Sequence, residues 1–302
     1  MKTLTLEQVL SDGRYNYTRH YDRNRIMPLI RLSYLAWIAA AVLYFTLGYH
    51  AGFHSINSWA SLFPEKLLQT ITFMGDGAVC LSIGILFARR CPALIWVMFL
   101  AMLVGTLVLH LGKDSFGMMR PPAVLDPDSF NVIGAAFKNS SFPSGHTFTA
   151  FVVGSIGFYF AKTPQVKVLA LLAASIVGIS RVLVGAHWPI DVLVGAGLGM
   201  LSVATSLIVA NHIHWGMRRF GHLFIITLLL IAVGVMMIEQ HGYPLARDFA
   251  LIFGAVCLTF FLTEYRPIVS HNIQAIRTSL TRHTHINNKH KSVSKAGSSR
   301  VE

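Results

Sequence analysis

Charge is scarce in this chain. Only 13% of its 302 residues are Asp, Glu, Lys or Arg, against roughly 25% in a soluble globular protein. So few charges cannot coat a water-exposed surface of this size, which excludes an ordinary soluble domain. Acid is the scarcer sign, with 13 Asp and Glu against 25 Lys and Arg. Cysteine is almost absent. Of the three, Cys80 and Cys257 fall inside apolar stretches and Cys91 in a short basic loop, which leaves neither a disulfide framework nor a cysteine metal site. Basic stripes interleaved with aromatics are also missing. The net charge of +12 therefore does not read as a nucleic-acid surface, and no nucleic-acid partner is expected.

Apolar residues, by contrast, make up 54% of the chain and come in blocks. Eight are legible, near residues 30–50, 68–88, 93–112, 147–162, 166–186, 188–210, 221–239 and 246–263. A helix needs about 20 apolar residues to cross the hydrocarbon core, and most blocks reach that, the fourth being short. The expectation is an all-α polytopic membrane helix bundle in contact with membrane lipids. The first block is too long for a signal h-region and lacks a small-residue exit, so it reads as an uncleaved anchor.

Basic residues sort by side. Of the 25 Lys and Arg, only Lys66, Lys113, Arg120, Lys138, Arg181 and Arg247 fall before or after blocks on the odd-numbered-loop side. The remainder occupy the N-terminal segment, the even-numbered loops and the tail. The positive-inside rule then predicts both termini in the cytoplasm and odd-numbered loops outside. The polar, basic tail reads as disordered, and His283, His285 and His290 within it as solvated residues and not metal ligands.

Three of the outer cations, Lys113, Arg120 and Arg181, stand at or near the outer ends of apolar blocks, where charge is costly and marks function. One such residue reads as a snorkelling anchor. Three together repel one another unless an anion lies between them, and phosphate suits a guanidinium fork. Ser144 is placed to cap the fourth span, and Gly145 lets backbone approach a ligand. The first N–H groups of that helix form an anion site, with His146 in its first turn. His187 and Asp191 are four apart at the start of the sixth span. A carboxylate there can hold one imidazole N–H and leave the other nitrogen's lone pair free. Pro189 suits the first turn of that helix. Asp76, inside the second block, is expected to partner a site cation or form a buried structural pair. His110, one turn before Lys113, is a weaker substrate contact.

These segments resemble the type 2 phosphatidic acid phosphatase (PAP2) superfamily. Its K-x6-R-P, P-S-G-H and S-R-x5-H-x3-D elements correspond to Lys113 to Pro121, Pro143 to His146 and Ser180 to Asp191, in order and without departure. The resemblance covers about residues 68–210. It implies a six-helix core with two extra C-terminal spans. The chain then divides into a basic N-terminal segment (1–28), a phosphatase core (29–212), two additional spans (213–264) and a tail (265–302). It also implies a mechanism without metal or cofactor. His187 is the nucleophile, Asp191 its orienting partner and His146 the general acid and base. Lys113, Arg120 and Arg181, with Ser144 and the Gly145 N–H, bind the phosphoryl group. Pro121, Pro143 and Ser180 are motif positions of lesser role. The substrate implied is a lipid phosphate or diphosphate: undecaprenyl diphosphate, phosphatidylglycerophosphate, phosphatidic acid or a lipid A phosphate. In a bacterium the enzyme would sit in the inner membrane with its site on the periplasmic face. A phosphotransferase to a lipid hydroxyl is the alternative. A lipid transporter or flippase explains the cations but not the paired histidines.

Overall fold

A computed structural model describes residues 5–266, all of whose regular elements are helical. Helix α1 (Leu6–Arg19) opens with a capping box in which Thr5 and Gln8 satisfy each other's backbone N–H groups. It packs its buried face, Leu6, Leu10 and Tyr17, on the bundle, and the Tyr17 hydroxyl donates to the Leu207 carbonyl at 2.8 Å. Helix α2 (Met27–Leu47) follows, then the short α3 (Phe53–Asn57), α4 (Glu65–Phe73), α5 (Gly77–Ile83) and α6 (Pro92–Phe116). A one-turn helix α7 (Pro121–Val124) and a long loop lead to α8 (Gly145–Phe160), α9 (Pro164–Leu183), α10 (Pro189–His212) and α11 (Arg219–Ile238). The last helix, α12, spans residues 247–266.

Six helical stretches are long and apolar enough to cross a bilayer: Arg23–Leu47, Pro92–Val124, Pro164–Leu183, Pro189–His212, Arg219–Ile238 and Pro244–Arg266. Their outward faces carry bare Leu, Ile and Phe, such as Phe45, Leu169, Phe220 and Ile252. Apolar area on this scale suits lipid as the surrounding solvent. Helix α8, at 16 residues, is about 24 Å long, in keeping with its short apolar block.

The second block departs from the expected straight span. It breaks between α4 and α5, which meet at 65°. The cause is local. Asp76 caps α5 through Ala78 N–H at 2.8 Å, and the chain at Gly75 runs against α8 and α9. A Cβ on Gly75 would lie 2.6 Å from Val177 Cγ1 and 2.9 Å from the His146 carbonyl oxygen.

Helix α10 is the central post, packed against α2, α6, α8 and α9. Gly195 and Gly199 allow α8 to approach it closely, since a Cβ at either would strike α8 backbone oxygens at 2.6 Å. Helices α11 and α12 close on the broken pair. Helix α11 packs on α5, and Cys257 donates to the Ser82 carbonyl at 3.6 Å. Glu264 ties α12 to Arg89 and Arg90 at 2.8 and 2.6 Å. The expected tail lies outside the described residues except for Tyr265 and Arg266, which continue α12; Tyr265 is buried against His222 at 3.1 Å.

Candidate active site

The site forms at the end of the bundle where α6 finishes, α8 begins, and α9 turns into α10. Pro189 stands in the first turn of α10, and Asp191 at its third position caps the helix by accepting from Trp188 N–H at 3.0 Å. The cap leaves the carboxylate buried yet heavily bonded. Asp191 Oδ2 also accepts from Ser141 Oγ at 2.5 Å and lies 3.3 Å from His187 Nδ1, while Oδ1 accepts from the Tyr49 hydroxyl. Burial and the neighbouring carboxylate push the Tyr49 phenol well above its ordinary range, so it stays a donor.

His187 is 1% exposed. With Nδ1 turned to Asp191, Nε2 is the free ring nitrogen. Burial, then the Arg120 and Arg181 guanidiniums, hold its imidazole well below the ordinary histidine range. It is therefore neutral, with a lone pair available.

The cations gather around it. Arg181, 1% exposed, donates from one terminal nitrogen to Thr72 Oγ1 and to the Tyr243 hydroxyl, both at 2.6 Å. Its guanidinium also stacks over the Tyr243 ring at 5.3 Å. Arg120 is aimed by loop carbonyls, chiefly Asn139 at 2.8 Å, and lies over Phe137. Lys113 ends the run on the last turn of α6. None of the three has a carboxylate partner among the described residues. Ser144 caps α8, its Oγ bonded to Thr147, and its own N–H donates to the Asp191 carbonyl at 3.1 Å. The N–H groups of Gly145 and His146 precede the first intrahelical bond of α8. Two buried atoms of the cluster, His146 Nε2 and Arg181 Nε, have no protein partner among the described residues. Buried polar atoms are rarely left so.

Not every expected residue joins the cluster. His110 is exposed on α6 and turns its ring to the Thr106 carbonyl of its own helix at 2.8 Å. Ser180 likewise bonds back to the Val177 carbonyl at 2.6 Å. Asp76 meets no site cation; its partner is His241 Nδ1 at 3.0 Å. Pro121 starts α7 and Pro143 precedes the α8 cap, both buried. No group of three metal-ligating side chains occurs among the described residues.

The residues that sequence reasoning missed are Tyr49, Thr72, Ser141 and Tyr243. Tyr243 is the most consequential, because it comes from the loop between the two C-terminal spans. That loop is fixed on the site by Ala135 N–H donating to the Gly242 carbonyl at 2.9 Å and by Leu245 N–H donating to Gln69 at 3.0 Å. The Tyr243 ring also lies 6.2 Å from that of His146. Tyr243→Phe keeps the ring and deletes the acceptor of a charged hydrogen bond, worth about 2 kcal/mol. Phosphate release should fall by roughly tenfold or more, with the protein still folded; unchanged kcat/KM would show that Arg181 does not depend on this bond.

The fold and the site together define a multi-pass membrane protein with a cluster of cations and histidines at one end of its spans. Comparison supplies the family. The PAP2 superfamily model matches residues 92–215. The lipid A 1-phosphatase of Rhizobium etli is 31% identical over 172 residues, covering 49% of this chain and 72% of that protein. The lipid A 1-phosphatase of Porphyromonas gingivalis is 39% identical over 101 residues, covering 33% of this chain and only 20% of that protein. Among solved structures, Aquifex aeolicus LpxE aligns at a TM-score of 0.47 and 26% identity, over 52% of this chain and 92% of that one. The chain belongs to the PAP2 superfamily, although it spans only a fifth of the length of the Porphyromonas gingivalis relative.

Proposed function

We propose that this protein is an integral membrane hydrolase that removes phosphate from a lipid phosphate or diphosphate through a phosphohistidine at His187. The observation that carries the reading is the buried His187, held through Nδ1 by Asp191, beside three cations with no carboxylate partner among the described residues. The cations collect the phosphoryl oxygens, and Gly145 and His146 N–H groups at the start of α8 add to them. The lone pair on His187 Nε2 attacks phosphorus, and the bond to the lipid oxygen breaks. His146 gives that oxygen its proton, releasing the lipid alcohol from a monophosphate or the lipid monophosphate from a diphosphate. Asp191 stabilises the positive charge left on His187. A water then loses a proton to His146 and attacks phosphorus from the vacated side. The P–N bond breaks, freeing phosphate and restoring both histidines. No step uses a metal.

A lipid headgroup fits the position of the cluster at one end of the spans. Because the relatives above are named for the 1-phosphate of lipid A, a lipid A-type phosphate is the first substrate to test; phosphatidylglycerophosphate, phosphatidic acid and undecaprenyl diphosphate follow. The basic residues of the opposite end, among them Arg89, Arg90, Lys162 and Arg218, support an outer-face site with both termini inside.

The test is phosphate release by the full chain in neutral detergent across those four lipids, with His187→Ala as control. Release from at least one, unchanged by EDTA, is expected. Loss with EDTA and recovery with Mg²⁺ or Zn²⁺ would overturn the mechanism. A newly phosphorylated lipid without free phosphate would make the protein a phosphotransferase.

A further inference from the structure

Two adjoining cavities lie away from the catalytic cluster. The first is an apolar groove of about 480 Å³ between α5, α6, α8 and α9. Its walls include Met74, Phe87, Gly157, Ala170, Ala173 and Val177, with no charged residue in its lining. Its rim opens outward, since Met74, Phe87 and Val166 are each about half exposed. The second is a pocket of about 570 Å³ at the end of the bundle opposite the active site. It is lined by Arg19, Arg25, Arg90 and Lys162, with Asp22 as its one carboxylate. Phe160, at the end of α8, lines both.

The charges in the pocket are not all spoken for. Asp22 lies 3.5 Å from Arg25, and Arg90 is paired with Glu264. Arg19 and Lys162 have no carboxylate partner among the described residues. An anion there gains Lys162 together with Arg19, whose guanidinium otherwise donates to the neutral Tyr15 hydroxyl at 3.2 Å. On α9 the groove runs from Val166 to Val177, about 16 Å at the rise of an α-helix. Half of a hydrocarbon core is about 15 Å. The groove thus has the length of one leaflet's chain, with a cationic seat at its surface end.

Near its deep end Gly75 packs against Val177 and the His146 backbone so tightly that a Cβ would not fit. That close contact argues against a substrate tail passing there from His146 into the groove.

We infer that this composite cavity binds an anionic phospholipid of the leaflet opposite the active site, its phosphodiester between Arg19 and Lys162 and one chain in the groove. The phosphodiester distinguishes the occupant from the monoester substrates of the reading above, and the inference does not depend on that reading.

The test is the thermal unfolding midpoint of the full chain in neutral detergent. The probes are phosphatidylglycerol, phosphatidylcholine and inorganic phosphate. Phosphatidylglycerol at about a hundredfold excess over its dissociation constant should raise the midpoint by roughly 5 °C; the other two should not. Arg19→Gln with Lys162→Gln should cut that shift by more than half. So should Ala173→Phe, which fills the groove from an exposed position. An equal shift with phosphatidylcholine, the same shift with inorganic phosphate, or a full shift in both variants would overturn the proposal. So would a raised KM for lipid phosphate in Ala173→Phe with the phosphatidylglycerol shift intact, which would give the groove to the substrate. None of the stabilisation readouts requires turnover, so a failure here is distinct from a failure of the catalytic reading.

Discussion

His187→Ala leaves the protein inserted and folded but reduces phosphate release by on the order of 10⁴-fold or more, since no other group can form the covalent intermediate. The effect is in kcat. The cations remain to bind the lipid phosphate, so its affinity in a direct binding measurement should change by less than about tenfold. The two readouts together separate loss of the nucleophile from loss of the site. A purified His187→Ala protein that releases phosphate at near-normal rate would remove His187 from the nucleophile's role. Trapping of ³²P on wild-type protein as an acid-labile adduct, absent from the variant, gives the complementary evidence.

Asp191→Asn carries the second largest expected effect, a loss of roughly 10³- to 10⁴-fold in kcat. The carboxylate holds His187 Nδ1 as an N–H and meets the charge that forms on the ring. An amide can present its NH₂ to Nδ1, which moves the proton to Nε2 and blocks attack. The substitution also touches stability. Asp191 accepts from Tyr49, Ser141 and Trp188 as well, and an amide offers one acceptor oxygen where the carboxylate had two. Tyr49→Phe separates the contributions. It removes one donor from Asp191 without altering the His187 contact, so the melting temperature should fall by a few degrees with a much smaller loss of kcat. If Asp191→Asn and Tyr49→Phe lower activity equally, the carboxylate acts as a structural cap and not as the partner of the nucleophile.

The spans were legible because lipid imposes a length and an apolarity on every helix that crosses it. Seven of the eight blocks are each one helix with ends shifted by a few residues, and the second is broken into α4 and α5. The three motif cations drew attention because each stands where the expected topology disfavours positive charge. Asp191 was readable from its spacing to His187, and Pro189 from its place in the first turn of α10. What escaped notice were single polar residues brought in by tertiary packing. Tyr49 lies just past the end of an apolar span, and Thr72 is one hydroxyl within an apolar block. Neither has a periodicity or a charge to flag it. Asp76 was visible as an intramembrane acid, but its partner, His241, is far away in the chain. His110 shares a helix with Lys113 and was expected in the cluster; its bond to the Thr106 carbonyl turns it aside. The break of the second block was signalled only weakly by Gly75, Asp76 and Gly77, since glycine tolerates a bend without requiring one.

The seat of Arg181 bears on attempts to make a smaller enzyme. The family's recognisable stretch stops at residue 215, which invites trimming the chain after α10. Such a truncation would remove Tyr243 and leave a fully buried guanidinium with Thr72 as its one remaining side-chain partner. The arginine would be free to swing, and the charge that the proposed mechanism sets against the phosphoryl group would be spread over several poses. A minimal version must therefore keep residues up to 266 or graft an equivalent hydroxyl onto the core. A chimera that borrows another member's C-terminal pair must match this loop, whatever the sequence of its helices.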